Sequence, residues 1–329
     1  MTQRIVFLGT PSFSCPALEH LASRSDVEVV LVVTQPDRPS GRGRKLQAPP
    51  IKSLALELGL PIYQVATLRD AVSRVPLVAA QPDLLVVAAF GLILGKSILS
   101  LPPLGCVNLH ASLLPRYRGA NPIAAAIHSG DVTTGLSLMR MDRGLDTGAV
   151  YDRREIDINI GDTTETLTDR LGDVGSSLLA RHLPEILSGR AVPTRQGEGA
   201  TCTRPMVKDD GWIDWTRSAA EIERHVRAMW PWPRAWTVLP DGSRVQVHAS
   251  SVVETTTSGD PGTIVDVGSR FVVRCGHHSL RLDRVQMAGG KPVDGKVLRT
   301  RVSSSATDPL GKIGAPLALD PLVRVCGSD

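Results

Sequence analysis

The strongest constraint on the fold is a recurring pattern of short, almost wholly apolar runs. Arg4 to Leu8 leads into Gly9-Thr10-Pro11, Val27 to Thr34 reads VEVVLVVT, and Asp83 to Phe90 reads DLLVVAAF before Gly91. Runs of this length without polar alternation mark strands buried on both faces. Helical patterns fall between them, at Pro16 to Ser23 and at Lys52 to Leu58, the latter closed by Gly59 and Pro61. Strand, helix, strand at this spacing predicts βαβ units and a mostly parallel sheet. The first loop carries one glycine and not GxGxxG, so a dinucleotide fingerprint is absent where it should be clearest.

The sixteen residues Cys106 to Asn121, CVNLHASLLPRYRGAN, follow the same logic with added polarity. Asn108 and His110 stand two apart, so on a strand they share a face. An amide and an imidazole side by side suit a carbonyl oxygen that becomes negative during reaction. Taken alone, the stretch reads first as a core strand with two hydrogen-bonded polar residues. Asn121 and Pro122 then predict an N-cap and the first helical residue. Gly135 to Met141 predicts a strand delivering MDRGLDTG, whose carboxylates are Asp142 and Asp146. That octet by itself is an ordinary turn. A strand over Ala149 to Ile158 and a long helix over Thr163 to Leu187 complete this half.

Two segments are basic. Pro36 to Lys52 is a long Gly/Pro-rich connection whose span from Arg38 to Lys52 holds five basic residues and no acidic one. Composition reads it as a solvated loop; the functional reading is a contact with nucleic-acid phosphates. Beyond the turn-rich stretch Gly189 to Pro205 the texture becomes short and alternating, over Arg244 to Glu254, Gly262 to Val267, Arg270 to Cys275 and Ser279 to Met287. This predicts a small barrel or sandwich. From Arg270 to Arg301 eight basic residues face two acidic ones, which fits either an oligonucleotide-binding face or a solvated surface.

A length of 329 residues accommodates two domains, and 42% hydrophobic with 21% charged residues is ordinary for a globular chain. Five scattered cysteines without a CxxC pair predict a reduced, intracellular protein lacking a disulfide frame or structural zinc. The first residues enter a strand pattern without a signal h-region, and no apolar run reaches the ~18 residues of a membrane span. All five tryptophans lie between Trp212 and Trp236, and this cluster reads as a hydrophobic junction rather than a stacking platform.

Taken in order, FLGTPSF (Phe7 to Phe13), the QPDRPSGRGRK insertion, VVAAFGLIL, GCVNLHASLLPRYRGANPI, MDRGLDTG, KDDGWIDW (Lys208 to Trp215) and MWPWPRAW (Met229 to Trp236) form a specific series. The chain resembles the methionyl-tRNA formyltransferase family from end to end. The resemblance implies a Rossmann-like formyl-transfer domain over residues 1–188, a linker over 189–207 and a C-terminal OB-like tRNA-binding barrel over 208–329. It implies formyl transfer from 10-formyltetrahydrofolate, without a metal, to methionine on initiator tRNA, by a cytoplasmic monomer. Its catalytic Asn, His and Asp fall on Asn108, His110 and Asp146. Its folate-contacting SLLP segment falls on Ser112, Leu113, Leu114 and Pro115, and its tRNA-gripping insertion on Arg38, Arg42, Arg44 and Lys45. The apolar loop at Phe90, Gly91, Leu92 and Ile93 reads by spacing equally as the lining for a flat folate ring or as a plain hydrophobic crossover.

Some positions depart from the family pattern. Phe90 replaces a frequent Tyr, Gly95 a frequent Pro, Asn121 a common Ala and Ala149 a common Pro. His277-His278 sits in a hairpin that is usually glycine-rich. None is one of the three catalytic positions. The expected chemistry is an oxyanion held by Asn108 and His110, with Asp146 orienting the imidazole and passing on the amine proton. The competing expectation is a formyltetrahydrofolate-dependent formyltransferase or hydrolase acting on a small acceptor or water, for which the two basic segments have no evident use. A further alternative, a nucleic-acid-binding module with a degenerate α/β domain, is disfavoured because all three catalytic positions carry the required residue types.

Overall fold

The computed structural model describes residues 2–40, 45–255, 259–267, 270–300, 309–311 and 321–326. Seven strands build the main sheet: β1 (Gln3–Gly9), β2 (Val27–Thr34), β3 (Ile62–Gln64), β4 (Leu84–Ala88), β5 (Cys106–His110), β6 (Thr133–Arg140) and β7 (Val150–Asp157). Their order is β7-β6-β5-β4-β1-β2-β3. The pairs from β3 through β5 are parallel, whereas β6 pairs antiparallel with both β5 and β7.

Sequence alternation does not reveal the two faces of β1, because both are apolar. Ile5 and Phe7 pack into one core with Val32, Leu84, Val86, Val107 and Leu109. Val6 and Leu8 pack into the other with Val33, Leu85, Val87 and Phe90. The first face is covered by α1 (Cys15–Ala22) and by the long helix Thr164–Leu187. That helix starts at a Thr163 cap whose side chain accepts from the Thr166 N–H at 3.3 Å. It buries Leu167, Leu171, Leu178, Leu179, Leu183 and Ile186, each of which would cost about 2–5 kcal/mol if truncated to alanine.

Several expectations are revised here. The basic connection is not structureless: Arg38–Ser40 and Lys45–Gln47 pair as an antiparallel hairpin, and a helix (Pro50–Glu57) begins before Lys52. Asn121 stands at the cap position of the helix Pro122–Ser129, but in a left-handed conformation and with no side-chain capping bond. Its amide instead donates to the Arg204 carbonyl at 3.3 Å.

The C-terminal half contains a half-barrel, an antiparallel sheet in which Ala235–Val238, Arg244–Val253, Ser279–Met287, Arg270–Arg274 and Ile264–Val267 pair in that order. It bears out the barrel-type reading, and a helix over Ala219–Ala228 packs between it and Pro122–Ser129. The tryptophan cluster is largely a junction. Trp230 donates to Glu165 of the long helix at 2.9 Å, and Trp212 meets Trp236 edge to face at 4.8 Å. Trp215 is buried and donates to Thr237 at 3.0 Å, while Trp232 is exposed.

The turn-rich stretch also does more than connect. Thr194 exchanges two backbone bonds with Val150, both 2.8 Å. Thr201–Thr203 lies parallel to Arg118–Gly119 and antiparallel to Val323–Val325. Beside that small sheet Cys202 and Cys326 form a disulfide with a Cα–Cα distance of 5.2 Å. This overturns the expectation of wholly reduced cysteines. The two residues are 124 apart in sequence, so no local spacing signals the bond. Cys15, Cys106 and Cys275 are free.

Candidate active site

The order of the sheet reverses at β1, whose neighbours β2 and β4 lie on opposite sides. Open α/β sheets bind ligands outside the carboxyl ends of strands at such a point. The loops leaving β1 and β4 are tied together there. Thr10 Oγ1 and Gln35 Nε2 both donate to the Phe90 carbonyl, at 3.0 and 2.9 Å, and Ser14 Oγ donates to the Ala88 carbonyl at 2.7 Å.

Asn108 and His110 emerge one strand further along. On β5 they continue the face of Cys106, while Val107 and Leu109 turn to the opposite core. Both are buried, and burial of a polar group requires partners. His110 Nε2 lies 2.9 Å from the Tyr117 carbonyl. A carbonyl only accepts, so Nε2 carries the hydrogen, and Nδ1 is the nitrogen left to gain or lose a proton. Nδ1 faces Asp146 Oδ2 at 3.6 Å, an ion-pair separation rather than a hydrogen bond. The Asn108 amide donates to Asp146 Oδ1 at 3.5 Å, and the Gly119 N–H donates to Oδ2 at 2.8 Å.

Asp146 reaches this point on a tightly folded loop. Asp142 Oδ1 accepts from the Gly144 N–H at 3.0 Å and from Thr147 Oγ1 at 2.6 Å. A Cβ on Gly148 would lie 1.8 Å from the Arg140 carbonyl, so only glycine lets the loop return to β6 this closely. Asp146 itself has φ 51, a left-handed conformation costly for a side chain with a Cβ. The octet that reads as a simple turn is therefore a device for aiming one carboxylate.

The structure brings Asn108, His110 and Asp146 together. The residues expected to meet folate divide into two groups. Gly91 and Ile93 are exposed and Leu92 is half-buried, leaving an apolar lip on the β4 loop. Phe90, Ser112 and Leu114 are buried, and each side chain has partners within the protein. The Phe90 ring belongs to the core beneath β4, Ser112 Oγ donates to the Arg116 carbonyl at 2.6 Å, and Leu114 packs on Met139 and Val150. Leu113 is half-buried and Pro115 accepts from the Thr201 N–H at 3.3 Å.

Of the basic residues, Lys45 is exposed beside exposed Leu46, and Arg38 bonds the Gln35 side chain. Lys52 is paired with Asp37 at 2.9 Å, which holds that carboxyl below its usual range with help from Gln64. Arg42 and Arg44 lie outside the described residues. Arg116 pairs with Asp131 at 2.9 Å and Arg118 bonds Gln196 at 2.8 Å. Gln196 is the site residue that sequence reasoning missed; it sits in the turn-rich stretch, where no local pattern marks it.

A buried amide, a buried imidazole and a carboxylate, gathered from one strand end and a neighbouring loop, define an α/β enzyme of the acyl-transfer kind. Residues 3–183 match the family described as formyl transferase, and residues 205–301 match formyl transferase, C-terminal domain. A methionyl-tRNA formyltransferase of Trichlorobacter lovleyi is 44% identical over 88% of this chain and 92% of its own length. The fold is similar to that of a methionyl-tRNA formyltransferase from Clostridium thermocellum (TM-score 0.54, 20% identity, 76% of this chain and 94% of that one). It is also similar to an N-formyltransferase from Helicobacter canadensis in complex with folinic acid and dTDP-3-aminofucose (TM-score 0.62, 16% identity, 87% and 100% covered). The chain belongs to the formyl transferase family, in the company of its methionyl-tRNA formyltransferases.

Proposed function

We propose that the protein transfers the formyl group of 10-formyltetrahydrofolate to the α-amino group of methionine esterified to initiator tRNA. The observation that carries this is that Asn108 and His110 each lie within 3.6 Å of the Asp146 carboxylate at the carboxyl edge of the sheet. The acceptor and donor classes are supported by the curated relative's name and by the folate bound to the structural neighbour.

An amine needs no activation once neutral, and with a reference pKa of about 7.7–8.0 a useful fraction is neutral near pH 7. Its nitrogen attacks the formyl carbon, forming the new C–N bond and a tetrahedral oxyanion. The second N–H of Asn108 is available to that oxygen. His110 Nδ1 and Asp146 handle the proton that the attacking nitrogen loses and that folate N10 takes up as the old C–N bond breaks. The fixed Nε2–H bond to Tyr117 keeps the ring in one tautomer throughout. We place the apolar lip at Leu92 and Ile93 against the folate, and assign Arg38, Arg42, Arg44, Lys45 and the basic half-barrel to the tRNA backbone. The barrel and linker boundaries follow as the tRNA-holding half and its tether, and the nature of both substrates places the enzyme in the cytoplasm. Among the described residues no helix is long and apolar enough to cross a membrane.

The test is turnover of charged initiator tRNA with 10-formyltetrahydrofolate, scoring formyl-methionine against free formate. Asn108→Ala, His110→Ala and Asp146→Asn each lower kcat by about 10²-fold or more while tRNA affinity is kept. Wild-type turnover in any of the three refutes its role, and formate without formyl-methionine refutes the acceptor.

A further inference from the structure

We infer that Gln196 is a positioning residue for Asp146, and that the turn-rich stretch thereby forms part of the active site. This rests on the reading of Asp146 given above. The Gln196 side chain uses its full hydrogen-bonding capacity on the loop and on its neighbour. Nε2 donates to the Asp146 carbonyl at 2.7 Å and to the Gly148 carbonyl at 2.8 Å. Oε1 accepts from Arg118 Nε at 3.1 Å and Nη2 at 2.8 Å. An inverted amide would set oxygen against two carbonyls and nitrogen against a guanidinium, so the network admits one orientation.

The geometry gives these bonds a consequence. Asp146 holds a left-handed φ of 51, which a residue with a side chain keeps only when its surroundings enforce it. Gln196 grips the backbone on both sides of Thr147, while the Gly119 N–H grips the carboxylate. Arg118 and Gly119 are adjacent, so the two grips share one short strand. Gln196 is itself anchored by the two bonds between Thr194 and Val150 at the far end of the loop.

Three variants of the full chain test this, with methionyl-tRNA and 10-formyltetrahydrofolate as substrates. Gln196→Ala lowers kcat by about 10- to 100-fold and leaves both KM values within about twofold, as expected when a reacting group is displaced by up to an ångström. Gln196→Glu keeps the acceptor for Arg118 but turns a carboxylate toward two carbonyls, so it is slower than Gln196→Ala at pH 8. Lowering the pH protonates that carboxyl and restores a donor. The ratio of Gln196→Glu to wild-type kcat therefore rises between pH 8 and 5, while the ratio for Gln196→Ala stays level. A purely structural role would lower the melting temperature of both variants without that pH response. Asp146→Asn is run alongside. If it loses turnover and Gln196→Ala does not, or if the Gln196→Glu ratio is flat with pH, the inference is overturned. If Asp146→Asn keeps turnover, the site reading fails and takes the inference with it.

Discussion

Acidification tests the contact between the two halves of the molecule most directly. His225, on the helix Ala219–Ala228, meets His128 of the helix Pro122–Ser129 with ring centroids 5.5 Å apart. Its Nε2 is shut off from solvent and without a partner among the described residues, although the ring bonds the Gly211 backbone. Burial first, then His128 and Arg217, push its pKa from 6.5 down to about 4, against the Gly211 bond and, more weakly, Asp210. Burial lowers His128 as well, again with Arg217 and with Arg224. A lowered folded-state pKa means that the unfolded chain takes up the proton first. The contribution to stability is complete above pH 6.5 and is lost as the pH falls toward 4. Integrating the binding difference for His225 alone gives a loss of about 2 kcal/mol between pH 7 and 5. The comparison is with His225→Gln, which is neutral at every pH and retains an N–H for Gly211. Urea unfolding followed by tryptophan fluorescence at pH 7, 6 and 5 measures both proteins. His248, whose pKa burial and nearby Arg234 and Arg284 also push to about 4, acts in both and cancels. Wild type is expected to lose about 2 kcal/mol more than the variant over this range. Equal losses would refute the assignment of the acid sensitivity to this pair.

Two further predictions complete those tied to the catalytic trio and Gln196. Gly148→Ala places a methyl group where the Arg140 carbonyl stands, so the Asp146 loop must shift; kcat is expected to fall by about 10²-fold in the same formylation assay. The Cys202–Cys326 bond closes a loop of 124 residues, so dithiothreitol or Cys202→Ser should lower stability by roughly 2–4 kcal/mol, read as a shift in the urea midpoint. An unchanged midpoint would show that the tail strand Val323–Val325 is held by its backbone bonds alone.

Much of the fold is legible in the chain because its cause is local or compositional. Wholly apolar runs such as Ile5 to Leu8 must be buried on both faces, and only a layered α/β arrangement does that for several such strands at once. The long helix announces itself through leucines at helical spacing and a threonine cap. The basic hairpin was harder, because its strands are three residues long and Arg38, Pro39 and Lys45 to Gln47 are exposed, so neither alternation nor burial marks them. Asn121 shows a local rule overruled: at the cap position its backbone is left-handed, its oxygen accepts no capping bond, and its amide N–H donates to the distant Arg204 carbonyl.

The sequence by itself determined which chemistry is present: an amide and an imidazole on one face of a buried strand, and a Gly/Asp octet able to aim a carboxylate. It could not say that these meet, since Asn108 and Asp146 are 38 residues apart and their contact depends on how β5, β6 and the loop after β6 fold together. Tertiary structure alone decided which nitrogen of His110 faces Asp146, because the tautomer is set by the Tyr117 carbonyl, which accepts from Nε2. It also brought Gln196 to the Asp146 loop, and Cys202 to Cys326, from a stretch with no periodicity. Side-chain type is written in the chain one residue at a time, whereas partnership is a property of the packed whole.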